Sequence, residues 1–474
     1  MNITKKLMSI KLLSAAVIFL QITAVSPAIA ESKKELLPEE VVTNAKQHYP
    51  KILSYYEKVS AAEGSVFSSL GFFDVKLKQK YTDNIQGFYD GKTNDILLEK
   101  ELGFLGSKLY GGYRKSFGSF PVYDGDMETN RAGEYRIGGK VSLLKNSSID
   151  ENRLNLILSK LNLSESKIQL EIIKRQIEID AIKAYWKWVG SANILHIYEE
   201  LYQLSVTRQT QLEEKLRKGD VAQILVVENK KNILRRKSAL AKAKQEFENN
   251  ALYLSLFWRS EDGKPLLPKL HQVPKINFIL EEISAEKLLS DINVALVSRP
   301  ELKIIKIKKE EVLNQIKYSE NLFKPELDID FSTSKDLGSG PKSRAEAKSY
   351  AGIEFSLPLQ QREAKGKSLE YQSKLTSLKY EEQLSEEKIT TEIEQIKTQI
   401  NSIVEIHNNL SEEAKLASLL EISEREKFKQ GASNFFLVNL REQDTAASKS
   451  SLIENFEKYQ SAVADYKMAI FTQY

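Results

Sequence analysis

The sequence contains no cysteine in its 474 residues. This absence excludes a disulfide framework, a thiolate zinc site, a cysteine nucleophile and a lipid-modified N-terminal cysteine. Histidine is nearly as scarce, with 4 residues that stand far apart in the chain, so a histidine-based metal or acid–base centre is not expected. Phosphate-binding loops, carboxylate pairs of defined geometry and nucleophile motifs are also missing. We therefore predict that the protein is not an enzyme and binds no cofactor or metal ion.

Long hydrophobic runs are missing too, apart from one near the N-terminus. Three lysines precede the apolar stretch Leu12–Val25, and the small-residue pattern Ala28-Ile29-Ala30 follows it. This order is typical of a secretory signal peptide, and the stretch is shorter than the roughly 20 residues that span a bilayer as a helix. We predict a signal peptide at residues 1–30 that is removed on export.

The chain also lacks an excess of charge of either sign. Without residues 1–30 it keeps 66 basic and 65 acidic residues, because the predicted signal peptide holds three of the 69 basic ones. A near-neutral exported chain has no electrostatic basis for binding nucleic acid. With 41% hydrophobic and 28% charged residues, it is too polar for a bundle of transmembrane helices and too apolar for a disordered protein.

Proline is absent from two long tracts, 122–264 and 359–474, although the chain has 11 prolines. Proline is excluded from helix interiors because it lacks the amide proton and clashes with the preceding turn. Apolar residues recur in both tracts at steps of three, four and seven, which predicts long packed helices at about 147–218 and 361–430. The first would be roughly 105 Å long, far longer than a compact domain requires. An ordinary two-chain coiled coil would have the same composition.

Four short segments alternate apolar and polar residues, which predicts β-strands at about 72–81, 134–144, 325–333 and 350–359. Alternation over about ten residues fits the strands of outer-membrane barrels, whose apolar side chains face lipid. A soluble sheet with one wet face is the alternative. The predicted lipid-facing residues are Val75, Leu77, Tyr135, Ile137, Val141, Leu327, Ile329, Phe331, Ile353, Phe355 and Leu357.

The chain is an internal duplication. The segment that ends at Pro50 corresponds to the one that ends at Pro300, and each leads through a helix into an alternating strand. The residues before Gly219 correspond to those before Gly431, where a glycine just past a helix end lets the chain reverse. Each copy reads as helix, strand pair, very long helix, glycine turn and helix. We predict repeats at 31–264 and 265–474, with the remaining helices at about 221–257, 301–323 and 434–472.

Geometry suggests how the copies assemble. Four strands from one chain cannot close a barrel, and open strand edges are not viable in lipid. Three chains would supply twelve strands, and their long helices would form a hollow cylinder below the barrel. A secreted coiled-coil scaffold or adhesin without a lumen is the alternative hypothesis, with the strands forming small soluble sheets.

In their order and spacing, these motifs resemble the TolC-like outer membrane efflux family over essentially the whole mature chain. The resemblance rests on Arg299-Pro300-Glu301-Leu302 before a helix, Pro325-Glu326-Leu327 entering a strand, Phe355-Ser356-Leu357-Pro358-Leu359 leaving the barrel, and the two glycine turns. It implies a mainly α fold of the α+β class. The expected assembly is a trimer whose 12-stranded transmembrane β-barrel, four strands per chain, continues into a periplasmic α-helical barrel.

The resemblance also implies a location, a function and partners. A protein of this family lies in the bacterial outer membrane and extends into the periplasm. It is the passive exit duct of a tripartite efflux pump or a type I secretion system, and it conducts small toxic molecules or a secreted polypeptide. The expected partners are two further copies of the chain, outer-membrane lipid, a periplasmic adaptor protein and, through the adaptor, an inner-membrane pump.

The two glycine turns carry the candidate site residues. Members of the family place an aspartate six residues after the turn glycine to help close the periplasmic aperture, but this chain has leucine there, which suggests an apolar aperture that closes by dewetting. The polar residues at the turns would equally be expected without a role in the aperture, because turns are solvated. The lysines would be expected there as well, because cations are favoured at helix C-termini. The candidates for the aperture are Asp220, Gln223, Leu225, Ser433, Asn434 and Leu437, and those for adaptor contact are Lys218 and Lys429.

A long segment, residues 82–131, separates the two predicted strands of the first half. In the second half, the shorter segment 334–348 separates the two predicted strands. It contains the sequence from Gly106 to Arg114, which fits an additional hairpin. Two interpretations of this segment remain open: an extracellular loop, or an additional piece of the barrel wall.

Overall fold

The computed structural model describes residues 35–471, so the predicted signal peptide and the last predicted helical position, 472, lie outside the described residues. The first half consists of α1 (Pro38–His48), α2 (Pro50–Leu70), β1 (Lys76–Asp83), β2 (Lys92–Glu101), β3 (Lys108–Phe117), β4 (Glu134–Ser142), α3 (Glu151–Arg217) and α4 (Gln223–Leu254). The second half consists of α5 (Ala285–Ser298), α6 (Pro300–Leu322), β5 (Glu326–Asp336), β6 (Lys348–Ser356), α7 (Arg362–Lys429) and α8 (Phe435–Ala469).

The two halves repeat one order of elements, which confirms the internal duplication. Each begins with a pair of short helices, and a proline opens the second helix of each pair, where its missing amide proton costs nothing. Each ends with a very long helix, a glycine turn and a return helix. Gly219 and Gly431 have φ of 79° and 77°, the left-handed conformation that lets the chain reverse after a helix.

The long helices α3 and α7 contain 67 and 68 residues, which corresponds to about 100 Å each. The start of α3 lies later than the apolar pattern predicts, because the Asp150 side chain accepts a hydrogen bond from the amide of Arg153 and caps the helix. Helix α3 packs against both α4 and α8, and α7 packs against α8. None of the helices within residues 35–471 is long and apolar enough to cross a membrane.

The strands form one antiparallel sheet of six in the order β1-β2-β3-β4-β5-β6. The prediction of four strands per chain is therefore wrong. The two additional strands, β2 and β3, both come from the long segment 82–131, and they lie between β1 and β4. The alternation pattern did not predict β2, because Ile96-Leu97-Leu98 interrupts it. The additional hairpin considered at Gly106 to Arg114 overlaps the β2–β3 turn and most of β3, although Gly111 and Gly112 carry no side chain and weaken the alternation there.

Apolar clusters near the middle of the helical part hold the two halves together. Trp188 and Tyr185 of α3 are 0% and 1% exposed, and they belong to a cluster with Ile52 of α2 and Leu254 of α4. The hydroxyl of Tyr185 donates a hydrogen bond of 2.8 Å to the carbonyl of Leu36. A second cluster joins α7, α8 and α5, so the short helices of each half brace the long ones.

Candidate functional site

One face of the sheet is apolar across all six strands. The strand register places nine of the eleven predicted lipid-facing residues on this side, which we call the apolar face. The other two, Val75 and Leu357, lie one residue outside β1 and β6. Several of the nine are strongly exposed: Leu77 at 69%, Ile137 at 62% and Ile353 at 75%. An exposed apolar band of this extent is unusual on a protein surface that meets only water.

Strands β2 and β3 extend the apolar face with residues that the sequence analysis missed. Leu98 of β2 lies opposite Leu77 of β1 and is 52% exposed, and Leu109 of β3 lies opposite Gly139 of β4 and is 44% exposed. Exposed Lys100 lies opposite Leu109 on this face. Gln79 and Asn94 are further polar residues near them. Their side-chain amides bond to each other at 3.0 Å, so each satisfies the other on this face.

The opposite side of the sheet, the polar face, carries a ladder of ion pairs that crosses strand boundaries. Glu99 of β2 pairs with Lys78 of β1 at 2.5 Å and with Lys108 of β3 at 2.9 Å. Asp95 of β2 pairs with Arg114 of β3 at 3.3 Å, and also with Arg136 of β4.

The ladder continues into the second-half strands. Lys140 of β4 pairs with Asp328 of β5 at 2.7 Å and with Glu354 of β6 at 3.3 Å. The sheet is thus apolar on one side and charged on the other, as the wall between a lipid phase and a water-filled lumen would be.

The two glycine turns lie together at the far end of the long helices. An apolar group joins them, which we call the tip cluster: Leu212, Val226 and Phe435 are buried, and Leu216, Leu225 and Phe428 pack against them. Leu225 therefore contributes to packing between the hairpins.

The polar turn candidates have local partners or are exposed. The Asn434 side chain accepts a hydrogen bond of 2.9 Å from the amide of Leu437 and caps α8, and the hydroxyl of Ser433 contacts Glu424. Lys429 pairs with Glu426 at 2.6 Å. Asp220, Gln223 and Lys218 are exposed.

Exposed apolar side chains next to the turns were missed by the sequence analysis. Ile224 is 66% exposed and its counterpart in the second half, Phe436, is 63% exposed. Val227 and Leu440, further along the same helices, are 54% and 40% exposed. The sequence did contain a signal for these positions, because the duplication aligns Ile224 with Phe436 and both are apolar.

A buried charge cluster lies above the tip cluster, and it too was missed. Glu442 of α8 is 1% exposed and accepts hydrogen bonds from Arg208 of α3, Arg236 of α4 and Arg425 of α7. The distances are 3.0, 2.8 and 3.1 Å. Asn439 bonds to the first two arginines as well. We call these five residues the Glu442 cluster.

The environment shifts the pKa values within the Glu442 cluster. Burial lowers the pKa of Arg236, although its bond to Glu442 opposes this. For Glu442, burial alone would raise the pKa, but the hydrogen bonds and charges of Arg208 and Arg236 outweigh it and hold the pKa below its usual range. No sequence pattern separated Glu442 from the many solvated glutamates of these helices.

A cleft of about 460 Å³ lies between α3, α4 and α8, and its lining includes Lys187, Glu246, Glu454 and Glu457. Burial is the main reason that the pKa of Glu457 rises to about 8, and the nearby Glu454 carboxylate adds to the rise. Within residues 35–471, no group of histidine, aspartate and glutamate side chains is arranged to hold a metal ion.

Several solved structures share this architecture. CusC, whose crystal structures concern transmembrane channel formation, is 12% identical with a TM-score of 0.68, and the match covers 92% of both chains. The outer membrane protein VceC from Vibrio cholerae is 12% identical with a TM-score of 0.65, over 91% of this chain and 95% of that one. The Campylobacter jejuni outer membrane channel CmeC is 14% identical with a TM-score of 0.63, over 91% and 85%.

Neither a protein-family model nor a curated protein sequence matches the chain. The structural matches nevertheless run through both halves, from the sheet through the long helices to the turns, and they confirm at the level of the fold the resemblance that the sequence motifs predict. The chain therefore has the TolC-like fold of outer-membrane channels.

Proposed function

We propose that the protein is an outer-membrane channel that passively conducts its cargo from the periplasm to the exterior. The observation that carries this proposal is the sheet with one apolar and one charged face, joined directly to helices of about 100 Å. The apolar face fits lipid, and the polar face fits a water-filled lumen. The long helices fit a conduit that continues into the periplasm.

Assembly into a homotrimer completes the conduit. Strands β1 and β6 are the two ends of the sheet, and unpaired strand edges are not tolerated in lipid. Further copies of the chain satisfy those edges by pairing β6 of one copy with β1 of the next. In the trimer, the helices of the three chains enclose a lumen below the barrel.

The glycine turns are proposed as the periplasmic entrance. Asp220, Gln223, Leu225, Ser433, Asn434 and Leu437 are the proposed aperture residues, with Lys218 and Lys429 at the adaptor contact. Exposed Ile224 adds an apolar side chain for that contact. An adaptor protein would link these tips to an inner-membrane pump, which supplies the energy and selects the cargo, either small toxic compounds or a secreted polypeptide.

Electron microscopy of the detergent-solubilised protein, combined with recordings from planar bilayers, tests the proposal. We expect a hollow ring with threefold symmetry in end views, particles well over 100 Å long in side views, and stepwise conductance on insertion. A thin solid rod, or a particle that leaves the bilayer sealed, would instead favour a secreted scaffold. Extraction by salt or carbonate without detergent would contradict the proposal as well.

A further inference from the structure

We infer that the β2–β3 hairpin, Lys92–Phe117, is part of the transmembrane wall, so that three chains close a barrel of eighteen strands. This inference rests on the proposed function and concerns the shape of the same conduit. A wall of twelve strands would instead leave the hairpin outside the barrel as an extracellular loop.

The topology is the first argument. Strand β1 pairs with β2 through eight residue pairs from Lys76–Glu99 to Asp83–Lys92, and β3 pairs with β4 through seven. The sheet order contains no direct pairing of β1 with β4. A twelve-stranded wall would therefore require both ladders to break and a new one to form between β1 and β4.

The two faces of the sheet provide the second argument. On the apolar face, Leu98 continues the row from Leu77 to Ile137 without a polar gap, and Leu109 lies in the next row of this face, between Lys100 and Gly139. On the polar face, Glu99 and Asp95 of β2 hold basic side chains from the strands on either side. An extracellular hairpin surrounded by water would not need one apolar and one charged side.

Glycines in β4 give the third argument, because neighbouring strands cover both of them in the same way. Tyr110 of β3 lies over Gly138, where any added Cβ would collide with its ring. Phe331 of β5 lies over Gly139, where an added Cβ would stand 2.8 Å from the ring. An aromatic side chain that covers a glycine on the next strand stabilises the pairing. Strand β3 is therefore fitted to β4 as closely as β5 is, although β5 belongs to the expected wall.

Closure also requires compatible strand directions. All five neighbouring pairs are antiparallel, so β6 runs opposite to β1, and β6 of one copy can pair with β1 of the next in the same antiparallel manner. Because barrel diameter grows roughly linearly with strand number, eighteen strands give a lumen about 1.5 times as wide as twelve.

Cysteine labelling tests the inference, and the chain is suited to it because it contains no cysteine. Leu97 and Leu98 are adjacent and of the same type, but Leu97 lies on the polar face and Leu98 on the apolar face. In outer-membrane vesicles treated with a water-soluble maleimide, we expect Leu98→Cys to react at least about tenfold more slowly than Leu97→Cys, because lipid excludes the reagent and disfavours the reactive thiolate. After unfolding in detergent, both should react equally.

Reference positions in β4 and β5 separate the failure of this inference from the failure of the proposed function. Ile137→Cys on the apolar face and Ser332→Cys on the polar face should behave as Leu98→Cys and Leu97→Cys do, respectively. If Ile137→Cys is protected while Leu98→Cys reacts as fast as Leu97→Cys, the hairpin is an extracellular loop and the inference is wrong. If Ile137→Cys reacts as fast as Ser332→Cys, there is no lipid-facing wall and the proposed function is wrong. Sections through a cryo-electron-microscopy map would count the strands directly, and any number other than eighteen would overturn the inference.

Discussion

At the scale of single residues, Glu442 connects four helices through one carboxylate. Its arginine partners come from α3, α4 and α7, while Glu442 itself lies on α8. Arg236 is 4% exposed, so its charge depends on Glu442 and on the carbonyl of Leu201, to which it donates a bond of 3.0 Å. Such a cluster restricts how the two helical hairpins can lie against each other, because separating Glu442 from its arginines would leave buried charges without a partner.

We expect Glu442→Gln to reduce the free energy of unfolding by about 3–5 kcal/mol, because it leaves buried arginines without a counter-charge. The measurement is the urea midpoint of the detergent-solubilised protein at pH 7. Asp444→Asn is the matched control, since Asp444 lies on the same helix but is half exposed and 4.0 Å from Arg441. We expect this control to cost less than about 1 kcal/mol. Equal midpoints for the two variants would contradict the prediction.

The Glu442 contribution also depends on pH. Because its pKa is lower in the folded protein than the usual 4.5, the stabilisation is present above that pH and is lost as the pH falls through the folded value. The difference between the wild type and Glu442→Gln should therefore shrink in strong acid.

The effect of pH on the contribution of Glu457 to stability has the opposite sign. Its pKa of about 8 in the folded protein lies above the usual 4.5, so the folded state holds a proton that the unfolded state releases. Stability should fall as the pH rises from about 4.5 to 8, and Glu457→Gln should remove that loss. We expect Glu457→Gln to melt at a higher temperature than the wild type at pH 8.5 and at the same temperature at pH 4. Glu248→Gln is the control, because Glu248 is an exposed residue of α4 whose partner is Lys244. Parallel melting curves of Glu457→Gln and the wild type at both pH values would refute this assignment.

At the scale of elements, the alternation of side chains determines where the strands lie in the sequence. The register of the sheet determines which residues lie opposite each other and on which face. Ile137 and Ser334 illustrate the difference: they lie on adjacent strands, but the first is on the apolar face and the second on the polar face. The same charge placed at these two positions therefore meets different surroundings.

We expect Ile137→Arg to prevent assembly in the outer membrane, because an arginine on the lipid face costs about 2–4 kcal/mol at the midplane. Ser334→Arg should assemble normally, since its guanidinium would enter the polar face, where Glu134 and Asp336 lie one register row away and offset the charge of Arg136 opposite it. Heat-resistant oligomers in outer-membrane fractions provide the measurement. Recovery of Ile137→Arg at the level of Ser334→Arg would mean that this face does not contact lipid.

At the scale of the whole molecule, the proposed closure of the passage at the turns requires more than one chain. Leu225 packs into the tip cluster within one chain, whereas Phe436 is exposed and Leu437 is half-buried. A seal made by three chains needs side chains that a single chain leaves uncovered. We therefore assign the seal to Phe436 and Leu437 ahead of Leu225.

We expect the double variant Phe436→Ala, Leu437→Ala to make cells several-fold more susceptible to antibiotics too large for ordinary porins, because a wider apolar constriction no longer excludes water. Minimum inhibitory concentrations, with immunoblots to equalise the oligomer level, provide the measurement. Gln430→Ala is the control at the same turn, because its side chain is exposed and belongs to neither the proposed aperture nor the proposed adaptor contact. Unchanged susceptibility would remove these positions from the seal.

Local patterns in the sequence were enough to predict the long helices, the turns and four of the six strands of the sheet, β1, β4, β5 and β6. Proline exclusion, apolar steps of three and four, and a glycine past a helix end act over a few residues, so they can be recognised without a partner. The resemblance to the channel fold followed from the order of these elements. The duplication was also visible, because Gly219 and Gly431 have matching neighbours.

The tertiary structure alone decided which strands pair and which charges meet. Strands β2 and β3 alternate too weakly to be recognised, and they become strands because β1 and β4 offer free backbone groups and complementary charges on either side. Glu442 and Arg208 stand 234 positions apart, and only the packing of four helices brings them together. The physical reason is that helix formation is largely local, whereas sheet register and buried ion pairs depend on partners that are distant in the chain.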